Sequence, residues 1–428
     1  METSLQHEPH AFKLHGPEAI ILAGGLGTRL RDAVPDLPKC MAPVAGRPFL
    51  YHVITYLQSQ GIRHFIFSLG YKHEVIETWL HDEFPALSYE CVIESEPLGT
   101  GGAIRLACRH AHTQHVVVTN GDTLFRVDIP NLQQEHERSG AVCTLALKPM
   151  QSFDRYGSVE IDETKRITGF REKQFIAEGL INGGLYVLDR TAFDALDFPE
   201  KFSFETAFLE PSATQKRLAG FPAEGYFIDI GIPADFQKAQ ADLVPAKLHL
   251  DEVDQTWTLF LDRDGVINED KPGSYIFSPE EFRFMHGAPA LFQKLAEKFG
   301  RIIVATNQRG VGKKLMTEET LTAIHDRMKN EIVAAGGKLD HIYYATATDN
   351  RDHLRKPNPG MALAAKSRFP EIDLKKSIMI GNNISDMQFG RSAGMFTVFL
   401  TTTNQAIRLP HPDIDLIFNN LLEFTAAL

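Results

Sequence analysis

Five short apolar runs rich in β-branched residues set the terms for this chain. They occupy residues 19–23, 64–69, 115–119, 258–261 and 302–305; several close on a glycine or a carboxylate, and helical patterns follow them. Strands buried on both faces of a parallel sheet read this way, and such sheets gather functional groups where their strands end. The pattern predicts α/β structure on both sides of one break. The break falls near residues 243–255, where Val244-Pro245-Ala246-Lys247 leads into Asp251-Glu252-Val253-Asp254 and a new apolar strand begins at Trp257. The expected division is a polar tail (1–16), a first domain (17–243), a connection (244–256) and a second domain (257–428). Whether the connection is flexible or a helix end stays open. There is no fixed-period repeat and no low-complexity tract.

A chain of 428 residues exceeds what one ordinary core serves, in keeping with two domains. The net charge of −11 argues against wholesale binding of nucleic acid or an anionic membrane, because phosphate surfaces select basic proteins. Small anionic substrates are still allowed, since a few lysines and backbone amides suffice to hold a phosphate. Runs such as Val116-Val117-Val118 and Ile302-Ile303-Val304 are too short to cross a bilayer, and the first sixteen residues lack the apolar stretch of a signal peptide. Cys40, Cys91, Cys108 and Cys143 show no CxxC spacing, which predicts reduced thiols and a cytoplasmic location. The sequence leaves a homo-oligomer open.

The first run continues into Gly24-Gly25-Leu26-Gly27-Thr28-Arg29-Leu30. Glycines there let backbone N–H groups approach a phosphate closely. A dinucleotide fingerprint starting at Gly25 would need glycine or alanine at position 30, which is Leu30. A Walker loop would need Gly-Lys-Ser/Thr where Gly27-Thr28-Arg29 stands. Both fail. With Pro38-Lys39 and Pro43, the segment instead resembles the signature of the sugar-1-phosphate nucleotidyltransferases. Further pieces follow in that family's order: Glu96-Pro-Leu-Gly-Thr-Gly-Gly-Ala103, Asn120-Gly-Asp122, Phe170-Arg-Glu-Lys173 with Ile181-Asn-Gly-Gly184, and Phe227-Ile-Asp-Ile-Gly231.

The resemblance implies a Rossmann-like, GT-A-like mixed sheet in which a sugar-1-phosphate oxygen attacks the α-phosphorus of an NTP and pyrophosphate leaves. Such a site acts by positioning and charge neutralisation. It implies nucleotide contacts from Leu22, Ala23, Gly24, Gly25, Gly27, Thr28, Gly99, Thr100 and Gly121, with Arg29 on the triphosphate and Lys39 on the reacting phosphates. Lys173 would meet the sugar phosphate, Asn182 and Glu205 the sugar hydroxyls, and Asp122 and Asp229 a magnesium ion. His52, His64 and His73 have no ligand-like spacing and read as structural or surface residues.

In the second half, Leu259-Phe260-Leu261 runs directly into Asp262-Arg263-Asp264-Gly265. Strand alternation would send Asp262 and Asp264 to one side, where two carboxylates repel unless a cation or proton intervenes. The remaining ligands of a calcium loop are missing. With Ala305-Thr306-Asn307-Gln308, Arg355-Lys356-Pro357-Asn358-Pro359-Gly360 and Gly381-Asn-Asn-Ile-Ser-Asp386, this half resembles the haloacid dehalogenase superfamily. The histidinol-phosphate and heptose-bisphosphate phosphatase branch is the most similar. The resemblance implies a Rossmann-like fold, Asp262 as nucleophile and Asp264 as acid and base. Thr306 and Lys356 would hold the phosphoryl oxygens, Asn307 and Arg355 would join them in binding the substrate, and magnesium would be held by Asp262, Asp264 through its backbone carbonyl, Asn382 and Asp386. Two departures stand out. Residues 344–354 contain no cysteine, so the branch's structural zinc is not expected, and Asn382 stands where a carboxylate is usual.

Together the halves imply consecutive steps with only small molecules (NTP and phosphorylated sugars) as partners. Heptose 1,7-bisphosphate would lose its 7-phosphate in the second half, and the first would join heptose 1-phosphate to GMP from GTP. The alternatives are another sugar, such as mannose 1-phosphate, with a weak or purely structural phosphatase-like domain, and a sugar-nucleotide sensor without turnover.

Overall fold

The computed structural model describes residues 16–25, 36–403, 407 and 411–428. Among the described residues two compact units emerge: one gathers residues 16–25, 62–73 and 89–227, and the other residues 36–61, 74–88 and those from 228 onward.

The first unit is built on a mixed sheet. Its strands are β1 (Glu18–Leu22), β2 (His64–Leu69), β3 (Tyr89–Ile93), β4 (His115–Asn120), β5 (Cys143–Phe153), β6 (Ser158–Ile161), β7 (Ile167–Arg171), β8 (Ile176–Asp189) and β9 (Leu218–Pro222). The order is β7-β6-β8-β4-β1-β2-β3, with β5 between β8 and β9. β1 runs parallel to β2 and β4, whereas β8 lies antiparallel to β4 and β5. Ile20, Ile66, Val116, Val118 and Leu188 are fully buried in one core with Phe193, Phe204 and Phe208. The apolar runs are continuous because the strands at the centre are covered on both faces. The mixed α/β expectation is met.

The second unit carries a parallel sheet of β10 (Thr258–Leu261), β11 (Arg301–Asn307), β12 (His341–Ala345), β13 (Ser377–Gly381), β14 (Phe396–Leu400) and β15 (Leu416–Phe418). The order is β12-β11-β10-β13-β14-β15. β10, β11 and β13 carry nearly all of the reactive motifs at their C-terminal ends, as open parallel sheets place them. After the helix Pro233–Asp242 the chain does not dangle. Leu248, Val253 and Trp257 are buried in this unit's core with Leu259 and Leu261, around a short 3₁₀ turn at Leu250–Glu252. The connection is thus part of that core. Among the described residues, no helix is long and apolar enough to cross a membrane.

Candidate active sites

In the first unit the glycine loop leaves β1 beside β2 and β4. Ala23 N donates to Ser68 O at 2.9 Å, and Gly121 N donates to Leu22 O at 2.8 Å. A Cβ on Gly24 would lie 3.0 Å from Glu94 Oε1 and 3.3 Å from Gly70 N, while one on Gly25 would meet none of the described residues within 4 Å. Glycine at 24 therefore answers to packing against Gly70 and Glu94. Gly27, Thr28 and Arg29 lie outside the described residues.

The segment that opens the helix Gly99–Cys108 is committed to a neighbouring loop. Gly101 N donates to Phe202 O (3.0 Å), Phe202 N to Leu98 O (3.0 Å) and Phe204 N to Thr100 Oγ1 (2.9 Å). Gly99 has φ +72°, and a Cβ there would stand 2.6 Å from Phe202 O. Thr100 Oγ1 also donates to Glu205 Oε2 at 2.9 Å. Thr100, expected on the nucleotide, is thus tied to Glu205, expected on the sugar. Asn182 sits at a bulge in β8, where its side chain donates to Tyr186 Oη (2.9 Å) and accepts from Gly184 N (3.0 Å). Asp122 follows β4 directly, and Lys173 is exposed on the bend between β7 and β8.

The second unit holds Lys39 and Asp229, paired at 3.2 Å. Gly231 N donates to Asp229 Oδ1, and a Cβ on Gly231 would come within 3.0 Å of Lys39 Nζ. A side chain there would have to displace the paired ends of Lys39 and Asp229.

The phosphatase-like residues converge around one buried cation. Lys356 Nζ lies 2.8 Å from Asp262 Oδ1 and 2.7 Å from Asp386 Oδ1, and its side chain is 1% exposed. Burial acts to lower the Lys356 pKa, but the two carboxylates outweigh it and hold the ammonium charged. Burial pushes Asp262 up to about 7, aided by the charge of Asp386 and opposed by Lys356. Asn307 clamps the lysine's backbone, its amide donating to Lys356 O and accepting from Lys356 N, both at 3.0 Å. Arg355 is buried and donates to Asn350 Oδ1 at 3.1 Å. Both residues, expected to bind substrate, hold the loop that presents Lys356.

β10 ends at Leu261, so the two aspartates stand beyond the strand whose alternation suggested a shared side. Asp264 takes a different set of partners. Arg263 Nη2 reaches both its oxygens at 2.9 Å, Asn268 donates at 2.9 Å, and Gln308 at 3.0 Å. Burial would raise its pKa, but the Arg263 charge and these hydrogen bonds win and keep it low. Arg263 is fully buried, and its Nη1 lies 3.1 Å from His325 Nε2. Burial, then the Arg263 charge, push His325 down to about 3, so the ring is neutral and can accept. Gln308 also donates to Thr306 Oγ1 at 3.0 Å. Arg263, Asn268 and Gln308 lie inside the sequence motifs, but only the fold reveals their task, and no sequence signal points to His325.

Asn382 donates its amide to Thr403 Oγ1 at 2.7 Å, which leaves its oxygen for a cation. Asp386 uses Oδ2 to accept from Asn383 N in the capping box of the helix Ile384–Ala393. A Cβ on Gly265 would fall 1.9 Å from Asn382 Nδ2, and one on Gly381 2.3 Å from Asp386. Two carboxylates and an amide oxygen drawn together by such close approaches fit a hard, oxygen-loving cation.

These sites and folds define a nucleotidyltransferase joined to a phosphatase. The chain belongs to the nucleotidyl transferase family, whose model matches residues 18–245, and a model described as polynucleotide kinase 3 phosphatase matches residues 258–422. Both families generally work with divalent cations. The first half is similar to the D-glycero-alpha-D-manno-heptose 1-phosphate guanylyltransferase of Aneurinibacillus thermoaerophilus, 50% identical over 226 residues that cover 53% of this chain and 98% of that protein. The enzyme of that name from Campylobacter jejuni is 44% identical over 219 residues, 51% of this chain and 96% of that protein. Among solved structures, HddC from Yersinia pseudotuberculosis is 37% identical, covers 53% of this chain and 99% of its own, and superposes with a TM-score of 0.49.

Proposed function

We propose that the chain makes a nucleotide-activated heptose in two steps. The second half removes the 7-phosphate of D-glycero-D-manno-heptose 1,7-bisphosphate. The first half then transfers GMP from GTP to heptose 1-phosphate and releases pyrophosphate. The observation that carries this reading is the 50% identity to a heptose 1-phosphate guanylyltransferase across 98% of that protein. The order follows from chemistry: the transferase needs a sugar whose only phosphate is at C1, and a phosphomonoesterase on the same chain supplies one. An NTP substrate, and four cysteines that form no disulfide among the described residues, suit an intracellular site of action.

In the phosphatase half, Asp262 Oδ1 is engaged by Lys356 and Arg263 N, which leaves Oδ2 to attack phosphorus. Lys356 and Thr306 hold phosphoryl oxygens, and the sugar oxygen departs with a proton from Asp264. A water deprotonated by Asp264 then opens the aspartyl-phosphate. The resting site keeps Asp264 ionised, the form the second step needs. An arriving phosphate dianion raises its proton affinity for the first. In the transferase half, Lys39 balances charge on the reacting phosphates, with Arg29, Gly27 and Thr28 on the triphosphate. Lys173 meets the sugar phosphate, and Asn182 and Glu205 the sugar hydroxyls. Asp262, the Asp264 carbonyl, Asn382 and Asp386 would hold a magnesium ion in the phosphatase half, and Asp122 and Asp229 would contribute to holding one for the transferase reaction. The charge of such an ion would neutralise that of the phosphates.

The test is incubation of the purified chain with heptose 1,7-bisphosphate and GTP, with products followed by mass. Phosphate, pyrophosphate and GDP-heptose are expected in equal amounts. Turnover of mannose 1-phosphate but not heptose 1-phosphate would replace the sugar assignment, and phosphate release from no sugar phosphate would leave the second half without its step.

A further inference from the structure

The parallel register of β1 and β2 sets Glu18 directly opposite His64, each the first residue of its strand. His112 lies in the loop that leads into β4, the neighbour of β1 on its other side. Ligand atoms of these three side chains all lie within 4.8 Å of one another. Glu18 is only 2% exposed. Its Oε2 accepts from His112 N (2.7 Å), Thr113 N (2.7 Å) and Thr113 Oγ1 (2.8 Å), which fixes the carboxylate plane. The other oxygen, Oε1, faces His112 Nδ1 at 3.0 Å, and the His64 and His112 rings stand 5.9 Å apart at 70°. Burial would raise the Glu18 pKa, but the hydrogen bonds from Thr113 and His112 win, so the group is an anion at neutral pH.

We propose that Glu18, His64 and His112 form a site for a divalent transition-metal ion, with zinc the best match. Two imidazoles and a carboxylate make a nitrogen–oxygen donor set that suits zinc and cobalt rather than magnesium or calcium. Thr113 and the His112 backbone supply the outer support that orients a ligating carboxylate. Without metal, the close contact of His112 Nδ1 with Glu18 Oε1 is a hydrogen bond. With metal, the ion takes the place of that proton, and solvent completes the four positions. The site is structural. It lies where β1 and β2 begin, whereas the glycine loop and Asp122 follow strand ends about 15 Å further along. An ion there ties β1, β2 and the entry to β4 together. The missing cysteine–histidine loop at residues 344–354 concerns the other half of the chain and does not bear on it.

The experiment uses the full chain, stripped with chelator and titrated with zinc against a competing dye in excess magnesium. Cobalt(II) absorption reports the ligand type. One equivalent of zinc should bind, raise the thermal midpoint and give the intense visible bands of four-coordinate cobalt. H112A and H64A should each bind at least about tenfold more weakly. D122N should bind as the native chain does, and so should H7A/H10A/H15A, which removes the histidines ahead of β1. The His112 side chain is half exposed, so H112A decides the matter if H64A fails to fold. Unchanged zinc uptake in H112A, loss of uptake in H7A/H10A/H15A, or no stoichiometric binding to the native chain would each overturn the proposal.

Discussion

Replacing Lys356 by methionine keeps most of the side chain's volume and removes one positive charge from between two carboxylates. Each ion pair, at 2.8 and 2.7 Å, is worth about 6 kcal/mol in an effective dielectric of 20. Desolvation of three buried groups cancels much of that attraction in the native protein. The variant loses the attraction but keeps Asp262 and Asp386 buried against each other. Breaking a buried pair this way costs about 3–5 kcal/mol, and the methionine itself adds little packing penalty. Urea unfolding followed by tryptophan fluorescence should read this loss, because Trp79 and Trp257 both belong to the second unit. Measured in EDTA, the variant should be about 3–5 kcal/mol less stable. Millimolar magnesium should recover part of the deficit, since a cation can stand in for the missing charge. Adding D386N should recover part of it without metal. Phosphate release should fall by about 10²–10³-fold, while pyrophosphate release from GTP and a sugar 1-phosphate stays within about twofold. A K356M protein within 1 kcal/mol of the native chain in EDTA would refute the charge argument.

Lys39→Ala should lower pyrophosphate release by about 10²-fold or more and leave phosphate release unchanged, read by coupled assays on one preparation. Asp262→Asn should abolish phosphate release and any acid-stable incorporation of label from the phosphosugar, with the transferase rate retained; persisting phosphate release would exclude the covalent route. Asn382→Asp adds a third carboxylate near Asp262 and Asp386 and should shift half-saturation by magnesium several-fold lower in the phosphatase assay, with no change in the transferase assay. Burial first, then neighbouring positive charge, hold His136 near 4 and His325 near 3 in the fold, while the unfolded chain binds protons near 6.5. Their contribution to stability is complete above about pH 6.5 and is lost as pH falls toward those values, by about 1.4 kcal/mol per pH unit for each ring, so urea midpoints at pH 7.5, 6 and 5 should decline in that order.

The sequence was legible where chemistry and strand ends coincide. Gly24, Asp122, Asp262 and Thr306 all sit at or just beyond the end of a parallel strand, and the apolar run before each one announced it. What stayed hidden is the set of groups that fix those residues from a distance. His325 reaches Asp264 through Arg263, and Phe202 accepts the amide of Gly101 from a loop about a hundred positions away. Neither contact has a local pattern, because it depends on how helices and loops come back over the sheet. The same limit hid the partners of Thr100, Asn307 and Arg355. They lie inside motifs, but that their side chains meet Glu205, the Lys356 backbone and Asn350 emerges only from the fold.

Asn382 shows how a departure from a motif gains a physical meaning only in place. Its neighbours already include two carboxylates sharing a single ammonium, a balance with one excess negative charge. An aspartate at this position would double the excess in a buried site, and the resting fold would carry the repulsion whenever no cation was bound. The amide contributes an oxygen without that charge and uses its nitrogen to hold Thr403. An aspartate at 382 is therefore expected to strengthen cation binding and to weaken the metal-free fold, in which Lys356 is the internal counter-ion of Asp262 and Asp386.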